Sequence, residues 1–580
     1  MKRQDPVLAF VFSLFLAACG GGGNDTKCVD ADGDGYGEGC ASPDCNDADP
    51  AVYRSVTAYP DVDGDGHGVG SAVQLCVGAS LPVGYAETLG DCAPNDPSAW
   101  AIVSGYADAD GDGANTPVLT DFCTNGALPP GASSAPGNDC DDANPLVRPG
   151  MIELADDGLD NDCVGGDLTA ASGPGVYVDA GAACSAGSGT IAAPFCAIGT
   201  AITYAQTHAL HQIFVTAGTY LAGADQSLTV PAGVSIHGGY DASFTTHTGS
   251  PTALGELTGT CSSSSCARVT VNVLGDTVLQ DVAIRLAIAS GFTNKGLVVT
   301  GSGTFVLADS AVAHYDPSAA SHPFTLVELG SGVTSWLLRN DIGGFVAGGT
   351  GTSYGINNAG TARLVGNVLY VASSSSRYTV NSTGALEASA NVFNGPMSGS
   401  GNGINRGINC NVAPRCALYG NVIYPGNSAI SYTVYTTNTP TYLFDNIIVA
   451  EGNIATAVRL DNPGSGSPEW VLAGNDLYAG TSSISDLATI SYVDLATAAA
   501  VNGCSTQGCA SSVGNLSAAP GFVQPREDPR LGDWHLTATS PCLGAGVDPG
   551  ALDLFGLYRL DLDGQLRPLG GAFDCGADER

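Results

Sequence analysis

Basic residues are scarce. Lys and Arg total 19 against 56 Asp and Glu, a formal charge of −37 over 580 residues. Nucleic acids and anionic membrane surfaces are bound through basic patches, so this balance excludes both and favours cations as partners. Long apolar runs are also missing: the most prominent, Val7 to Leu16, is too short to span a bilayer. Apolar spacing at i, i+3, i+4 and i+7 is nearly absent, which argues against helical repeats. What is abundant is Gly (80) and Pro (31), which fit a turn-rich all-β chain, and an apolar content of 44% is too high for disorder. Nineteen Cys point to an oxidising compartment.

A repeated line organises the middle of the chain. An apolar residue is followed three positions later by Asn or Asp: Val278/Asp281, Val306/Asp309, Leu337/Asn340, Leu364/Asn367, Ala388/Asn391, Leu418/Asn421, Leu443/Asn446 and Leu472/Asn475. The period of 24 to 31 residues is that of a solenoid. The apolar runs are short, β-branched and broken by Gly, Ser, Thr and Asn, so they predict strands joined by turns. Asn tolerates the left-handed region at a tight corner and can bond its counterpart in the next coil as a ladder. A parallel β-helix follows, its eight coils about 40 Å tall at roughly 4.8 Å each.

Lys2 and Arg3 precede the apolar run, which ends in Leu16-Ala17-Ala18-Cys19. These four residues resemble the bacterial lipoprotein box. The resemblance implies a signal peptide over 1–18, a lipidated Cys19, and a membrane partner reached through the lipid anchor. Gly20 stands where the inner-membrane retention signal has Asp, so the expected location is the outer membrane or cell surface. Residues 19–27 read as the lipidated Cys and a flexible tether.

Three divergent acidic repeats fill residues 28–167. Each opens with alternating carboxylates, at Asp30/Asp32/Asp34, Asp61/Asp63/Asp65 and Asp108/Asp110/Asp112, with Gly at the sixth position. A sharply turned loop of this kind aims hard oxygens at one point, which suits calcium. The twelfth position is Ala41, Ala72 or Leu119 rather than Glu, so these are not EF-hands. A second element, Asp44-Cys45, Asp91-Cys92 and Asp139-Cys140, is expected to bring the missing ligand. An upstream Cys accompanies each (Cys40, Cys76, Cys123); a disulfide within each repeat could pin the second element near the first, a scheme that leaves Cys28 and Cys163 over, but the spacing does not fix the connectivity.

These loops, the Asp-Cys elements and the closing run Pro149 to Cys163 resemble the MopE-type metal-binding repeats of bacterial surface proteins. Copper prefers soft or nitrogen ligands, whereas these loops are oxygen-only with His67 as the lone imidazole among them. The expected cofactor is therefore about three calcium ions, with copper disfavoured.

Residues 168–580 are expected to form the β-helix domain. Cys196 to His208 is helix-like, with Ile198, Ile202 and Ala205 on one face. The order of strand, short helix and strands resembles the capped opening of right-handed parallel β-helix proteins, and the pectate-lyase-like class shares the fold. The stretch Ser540 to Gly546, with Asp561-Leu562-Asp563-Gly564 and Asp574 to Glu579, resembles their terminal segment, and Cys542 is expected to pair with Cys575. Cys261/Cys266, Cys410/Cys416 and Cys504/Cys509 read as stapled loops, and Cys184/Cys196 could tie the cap. Residues 168–519 hold only eight Arg and one Lys, without a common repeat register, so no basic groove for a uronate is visible. The best catalytic cluster is Asp309, His314 and Asp316, followed by His322 and Glu328. A non-enzymatic binding, structural or adhesin-like module with a glycan or surface protein as ligand is the leading reading. A polysaccharide lyase or glycoside hydrolase is the alternative, since fold alone does not decide.

Overall fold

The computed structural model describes residues 27–579 except 41, 172, 184–186, 221–226, 256–264, 287–292, 317–322, 347–350, 374–375, 396–403, 425–429, 451–453, 462–468, 480–501, 503–508, 527–531 and 570. The signal run, Cys19, Cys184, Cys261, His322 and Cys504 thus lie outside the described residues, as do the side chains of Cys266 and Asp316. The chain forms two compact units, Met1–Gly105 with Thr120–Pro129, and Tyr106–Leu119 with Pro130–Arg580. The division runs through the third acidic repeat and not at residue 167.

The first unit has little apolar material to bury. Its buried hydrophobics, among the described residues, are Ala58, Val77, Ala86 and Ala99. Arg54–Pro60 pairs antiparallel with Val73–Val77 and Tyr85–Ala86, and disulfides Cys28–Cys40, Cys45–Cys76 and Cys92–Cys123 staple the rest. The within-repeat pairing expected from the sequence is corrected here. Each Asp-Cys cysteine bonds forward, to Cys76, Cys123 and, in the second unit, Cys163. Arg54–Pro60 starts shortly after the Asp44 element, and its hairpin partner returns Cys76 beside Cys45. Cys28 takes Cys40, and none of the eight is left over.

The second unit is built on a parallel β-solenoid of about seven turns over residues 216–478. A representative coil runs Val333–Leu338, turns a corner, continues as Asp341–Val346, returns as Thr352–Asn358 and enters the next coil at Thr361–Val365. Three stacked rows of inward side chains fill it, one per face. Leu279, Leu307, Leu337, Leu364, Ala388, Leu418, Leu443 and Leu472 form one, each directly above the last. Val269, Leu297, Val327, Ile356, Val380, Ile408, Val434 and Val458 form the second, and Ile284, Val312, Ile342, Leu369, Phe393, Ile423, Ile448 and Leu477 the third. All are essentially inaccessible to solvent. Each fully buried Leu, Ile or Val contributes about 1.5–3 kcal/mol.

The Asn ladder is present, with one shift. From Asn367 to Asn475 each side-chain carbonyl accepts the backbone N–H and an amide N–H of the Asn one coil earlier, at 2.8–3.0 Å. Asn515 continues the ladder and Ser310 begins it, bonding Asn340 above. Asp281 and Asp309 stand one residue earlier, on the left-handed corner (φ 52° and 51°) that Arg339, Gly366, Ala390, Gly420, Asp445 and Gly474 occupy in later coils. Their carboxylates point outward to partners: Asp281 to His247 at 3.0 Å, and Asp309 to Arg339 through two bonds of 2.6 and 2.7 Å.

The helix Ile198–His208 buries Ile198, Ala201, Ile202 and Ala205 against the opening strands, as expected of a cap. The last fifty or so residues, from Asp533 onward, come after the stacked strands. They lie along the flank of the solenoid, with Leu557 and Leu560 against Val278, Val306, Trp336 and Val365, and Trp534 and Leu536 against Val422 and Val449. Cys542–Cys575 and a fully buried Arg567–Glu579 pair hold this segment, and Cys410–Cys416 staples a coil. Leu146, Met151, Ile152 and Leu154, from the third repeat and its closing run, join the same flank.

Of the stapled loop expected at Cys504/Cys509, only the second end lies among the described residues. Cys509 stands in a strand, Cys509–Val513, which pairs parallel with Trp470–Ala473 and adds one more layer to that solenoid face. The physical reason is the ladder. Asn515 bonds Asn475, so the residues leading into it must lie in coil register, and Cys509 packs half-buried against the core. Cys196 and Cys509 are both disulfide-bonded, and the partners expected for them, Cys184 and Cys504, lie outside the described residues. Cys266 stands in the strand Ser265–Gln280, and the partner expected for it, Cys261, lies outside the described residues.

Candidate metal centres

The three acidic loops share one hydrogen-bond plan. The first carboxylate spends both oxygens on the loop backbone: Asp30 accepts from the N–H groups of Gly33 and Gly35, Asp61 from Gly64 and Gly66, Asp108 from Gly111 and Gly113, all at 2.7–3.1 Å. The third and fifth positions each spend one oxygen on an N–H two residues on, an Asx-turn geometry. Asp44, Asp91 and Asp139 do the same in the second element.

The remaining oxygens are the informative ones. The Oδ2 atoms of Asp32, Asp34, Asp44, Asp63, Asp65, Asp110, Asp112 and Asp139 are buried and accept no hydrogen bond. Leaving such a group unpaired costs about 1–3 kcal/mol or more. Eight of them at matching positions in three loops constitute cages. In the first, ligand atoms of Asp32, Asp34 and Asp44 lie within 4.8 Å of one another, and in the second those of Asp61, Asp63 and Asp65 do. Asp91 is close enough to Asp63 for its charge to act on that carboxyl, but its free oxygen is not among the buried ones. Burial, reinforced by the neighbouring carboxylates, holds the Asp32 and Asp63 carboxyls above the usual range.

The third cage is the most enclosed. Asp110, Asp112 and Asp139 are at most 3% exposed. Burial, reinforced by Asp112, pushes Asp110 up to about 8, and burial pushes Asp112 up to about 6. Arg148 lies 3.7 Å from the Asp112 carboxylate and bonds its backbone carbonyl, partly offsetting the charge. Sequence reasoning did not include Arg148. It also missed Asp47 and Asp142, which accept the N–H of Ala31 and Ala109 and so tether each second element to its loop. The signal was there: Asp sits three residues after Asp44 and Asp139, where the second repeat has Pro94.

The donors fit a hard cation. All eight cysteines of the repeats are in disulfides. His67, with Nδ1 3.6 Å from Asp65, stacks its ring on Trp100.

The catalytic candidates are not assembled. Asp309 is held by Arg339, and His314 is 2% exposed within the solenoid, its ring 5.2 Å from that of Phe324. Glu328 is paired with Lys295 at 2.6 Å. The scattered arginines are engaged as well, Arg363 with Glu387 and Arg406 over Tyr435.

One outward face is unlike the others. Tyr354 and Tyr378 stack from coil to coil, Arg406 follows between Tyr378 and Tyr435, and Arg459 lies over Tyr432. Beside them the half-buried Asn357 and Asn381 and the buried Asn409 form a second amide ladder at 2.8 and 2.6 Å.

With this geometry in hand, comparison with known proteins is specific. Residues 44–62 and 139–167 match the Cu-binding MopE family model, described as a "Putative metal-binding motif". The chain carries MopE-type metal-binding motifs. The first match spans the Asp44 element and the second spans Asp139 and the closing run, the elements that complete the cages. No curated protein matches the chain. Among solved structures, it is similar to pectate lyase Pel9A at 15% identity over 70% of this chain and 96% of that one, with a TM-score of 0.36. Tailspike protein 3 of bacteriophage CBA120 is similar at 12% identity over 55% and 60%, with a TM-score of 0.18. At this distance neither carries a functional argument, and the solenoid rests on its own strand register.

Among the described residues, fourteen disulfide-bonded cysteines fit a protein of an oxidising, extracellular or surface setting. Among the described residues, no helix is long and apolar enough to cross a membrane.

Proposed function

We propose that this chain is a calcium-binding surface lipoprotein whose β-solenoid serves as a non-enzymatic binding scaffold. The observation that carries the reading is the recurrence of buried, unpartnered carboxylate oxygens at the third and fifth loop positions and in the Asp-Cys element. Asp32, Asp34 and Asp44 would hold one ion, Asp63 and Asp65 with Asp61 or Asp91 a second, and Asp110, Asp112 and Asp139 a third. A divalent cation supplies the charge that these carboxylates otherwise lack, and calcium accepts oxygen-only shells of variable geometry. Copper is the poorer match because sulfur is oxidised away and one imidazole serves at most one loop.

The binding half of the reading rests on the strip of Tyr354, Tyr378, Tyr432 and Tyr435 with its amide ladder. Ring faces stack on sugar rings, and amides and guanidinium groups bond hydroxyls. A neutral glycan is the ligand this surface suits. The lyase or hydrolase alternative gains nothing from Asp309 and His314, which have other partners. Cys19 would anchor the protein by acylation, and Cys19→Ala should release it from membranes in soluble form.

Equilibrium dialysis of the full chain tests the central element. About three calcium ions should be retained, and excess calcium should displace copper. Retention of no calcium, or copper that calcium does not displace, would remove the reading.

A further inference from the structure

The flank segment holds a second kind of cluster, far in sequence from the acidic repeats. The strand Asp533–Leu536 presents His535, whose Nδ1 bonds the Asp533 carboxylate at 2.7 Å. That bond fixes Nδ1 as the donor and directs Nε2 toward two other carboxylates. Asp563 Oδ2 lies 3.1 Å from Nε2 and Asp578 Oδ1 lies 3.6 Å from it. The two acids come from different stretches, joined by a backbone bond of 2.6 Å from Leu562 N–H to the Ala577 carbonyl.

Asp578 is the decisive residue. It is 3% exposed, and neither of its carboxylate oxygens accepts a hydrogen bond. Beside it Asp561 is 2% exposed; its Oδ1 accepts the N–H groups of Asp563 and Gln565, while its Oδ2 is buried and unpartnered. A protonated His535 bonded to Asp563 would still leave Asp578 desolvated with both oxygens unsatisfied, an expensive arrangement. An ion among Nε2, Asp563 and Asp578 gives the buried Asp578 carboxylate a partner. Three ligand atoms, one each from His535, Asp563 and Asp578, lie within 4.8 Å of one another. Four ligands at about 2.0–2.1 Å from zinc stand roughly 3.3 Å apart, which brackets the spacing seen. Asp533 would then play the part of the carboxylate that orients a metal-bound imidazole.

We propose that His535, Asp563 and Asp578, with Asp561 alongside, form a zinc site. An imidazole in the donor set distinguishes it from the oxygen-only loops and disfavours calcium. It stands independently of the calcium reading, because it shares no residue with the acidic repeats. The site would tie the strand at 533–536 to the two turns that end the chain, and so lock the flank segment.

The test uses the full chain with calcium in large excess, so that the acidic loops are occupied. Zinc is titrated, and cobalt is used as a spectroscopic probe of tetrahedral nitrogen and oxygen ligation. One zinc per chain should bind, with a cobalt visible band that zinc abolishes. His535→Ala and Asp578→Asn should each weaken binding at least tenfold, and Asp533→Asn should weaken it less. His211→Ala, at an exposed histidine elsewhere, should leave it unchanged. His535 is half exposed, so its removal carries the test even where Asp578→Asn fails to fold. No zinc uptake with calcium present, or uptake that survives His535→Ala, would overturn the proposal.

Discussion

Asn391 bonds in both directions along the solenoid. Its carbonyl accepts from the backbone and side chain of Asn367, and its amide donates to Leu364, Ser389 and Asn421. Asn391→Ala deletes these bonds and leaves buried donors and acceptors without partners, at a cost of about 1–3 kcal/mol. A lower urea midpoint with an unchanged m-value is the expected outcome; an unchanged midpoint would show that the ladder is incidental. The ladder was legible because Asn repeats at a fixed distance from an inward Leu. Asp281 and Asp309 were misplaced by one residue for a physical reason. Asp shares with Asn a tolerance for left-handed backbone, so the corner and the ladder position after it look alike in sequence. Asp445 occupies that same corner, buried, accepting the Val547 N–H and the Tyr558 hydroxyl. Burial pushes its carboxyl up to about 8. A raised acid pKa stabilises the fold fully below the unfolded value of 3.8, and that contribution is lost as pH rises from there to about 8, beyond which the slope vanishes. Melting temperature should therefore decline as pH rises toward 8, and Asp445→Asn should flatten the decline. An identical slope in the variant would contradict this.

At the scale of elements, the loops were read correctly as turned carboxylate runs, since Gly at the sixth position and alternating Asp leave few other geometries. The disulfide frame of the acidic repeats was not legible. It depends on a hairpin that returns Cys76 to Cys45, a contact that spacing does not encode. The tethers Asp47 and Asp142 escaped notice because an acid in an acidic run carries no distinguishing mark. Substituting Asp63 and Asp65 together by Asn removes two buried oxygens of the second cage and keeps the Asx turns. Such a variant should lose about one calcium of three and retain the other two. Uniform loss across all three would show that the loops do not bind independently.

For the whole molecule, the boundary expected at residue 167 gave way to one that passes through the third repeat. Leu146, Met151, Ile152 and Leu154 carry that repeat onto the solenoid flank, and their apolar character becomes meaningful only once Val278, Val306 and Trp336 are seen outward-facing beside them. The consequence is thermodynamic. Calcium binding free energy becomes folding free energy for whichever unit holds the site. Two cages belong to the first unit and one to the second, so a chelator should lower both calorimetric transitions, the first more. A transition of the solenoid unit that ignores the chelator would mean that the third cage stays empty.

The most direct measurement is a crystal structure of the calcium-loaded chain with anomalous data collected at long wavelength. Three calcium peaks are expected, each about 2.3–2.6 Å from the oxygens now without partners: Asp32, Asp34 and Asp44 in the first, Asp63 and Asp65 in the second, Asp110, Asp112 and Asp139 in the third. Peaks absent from these cages, or those same oxygens found bonded to protein groups in the loaded crystal, would contradict the assignment of the acidic repeats as calcium sites.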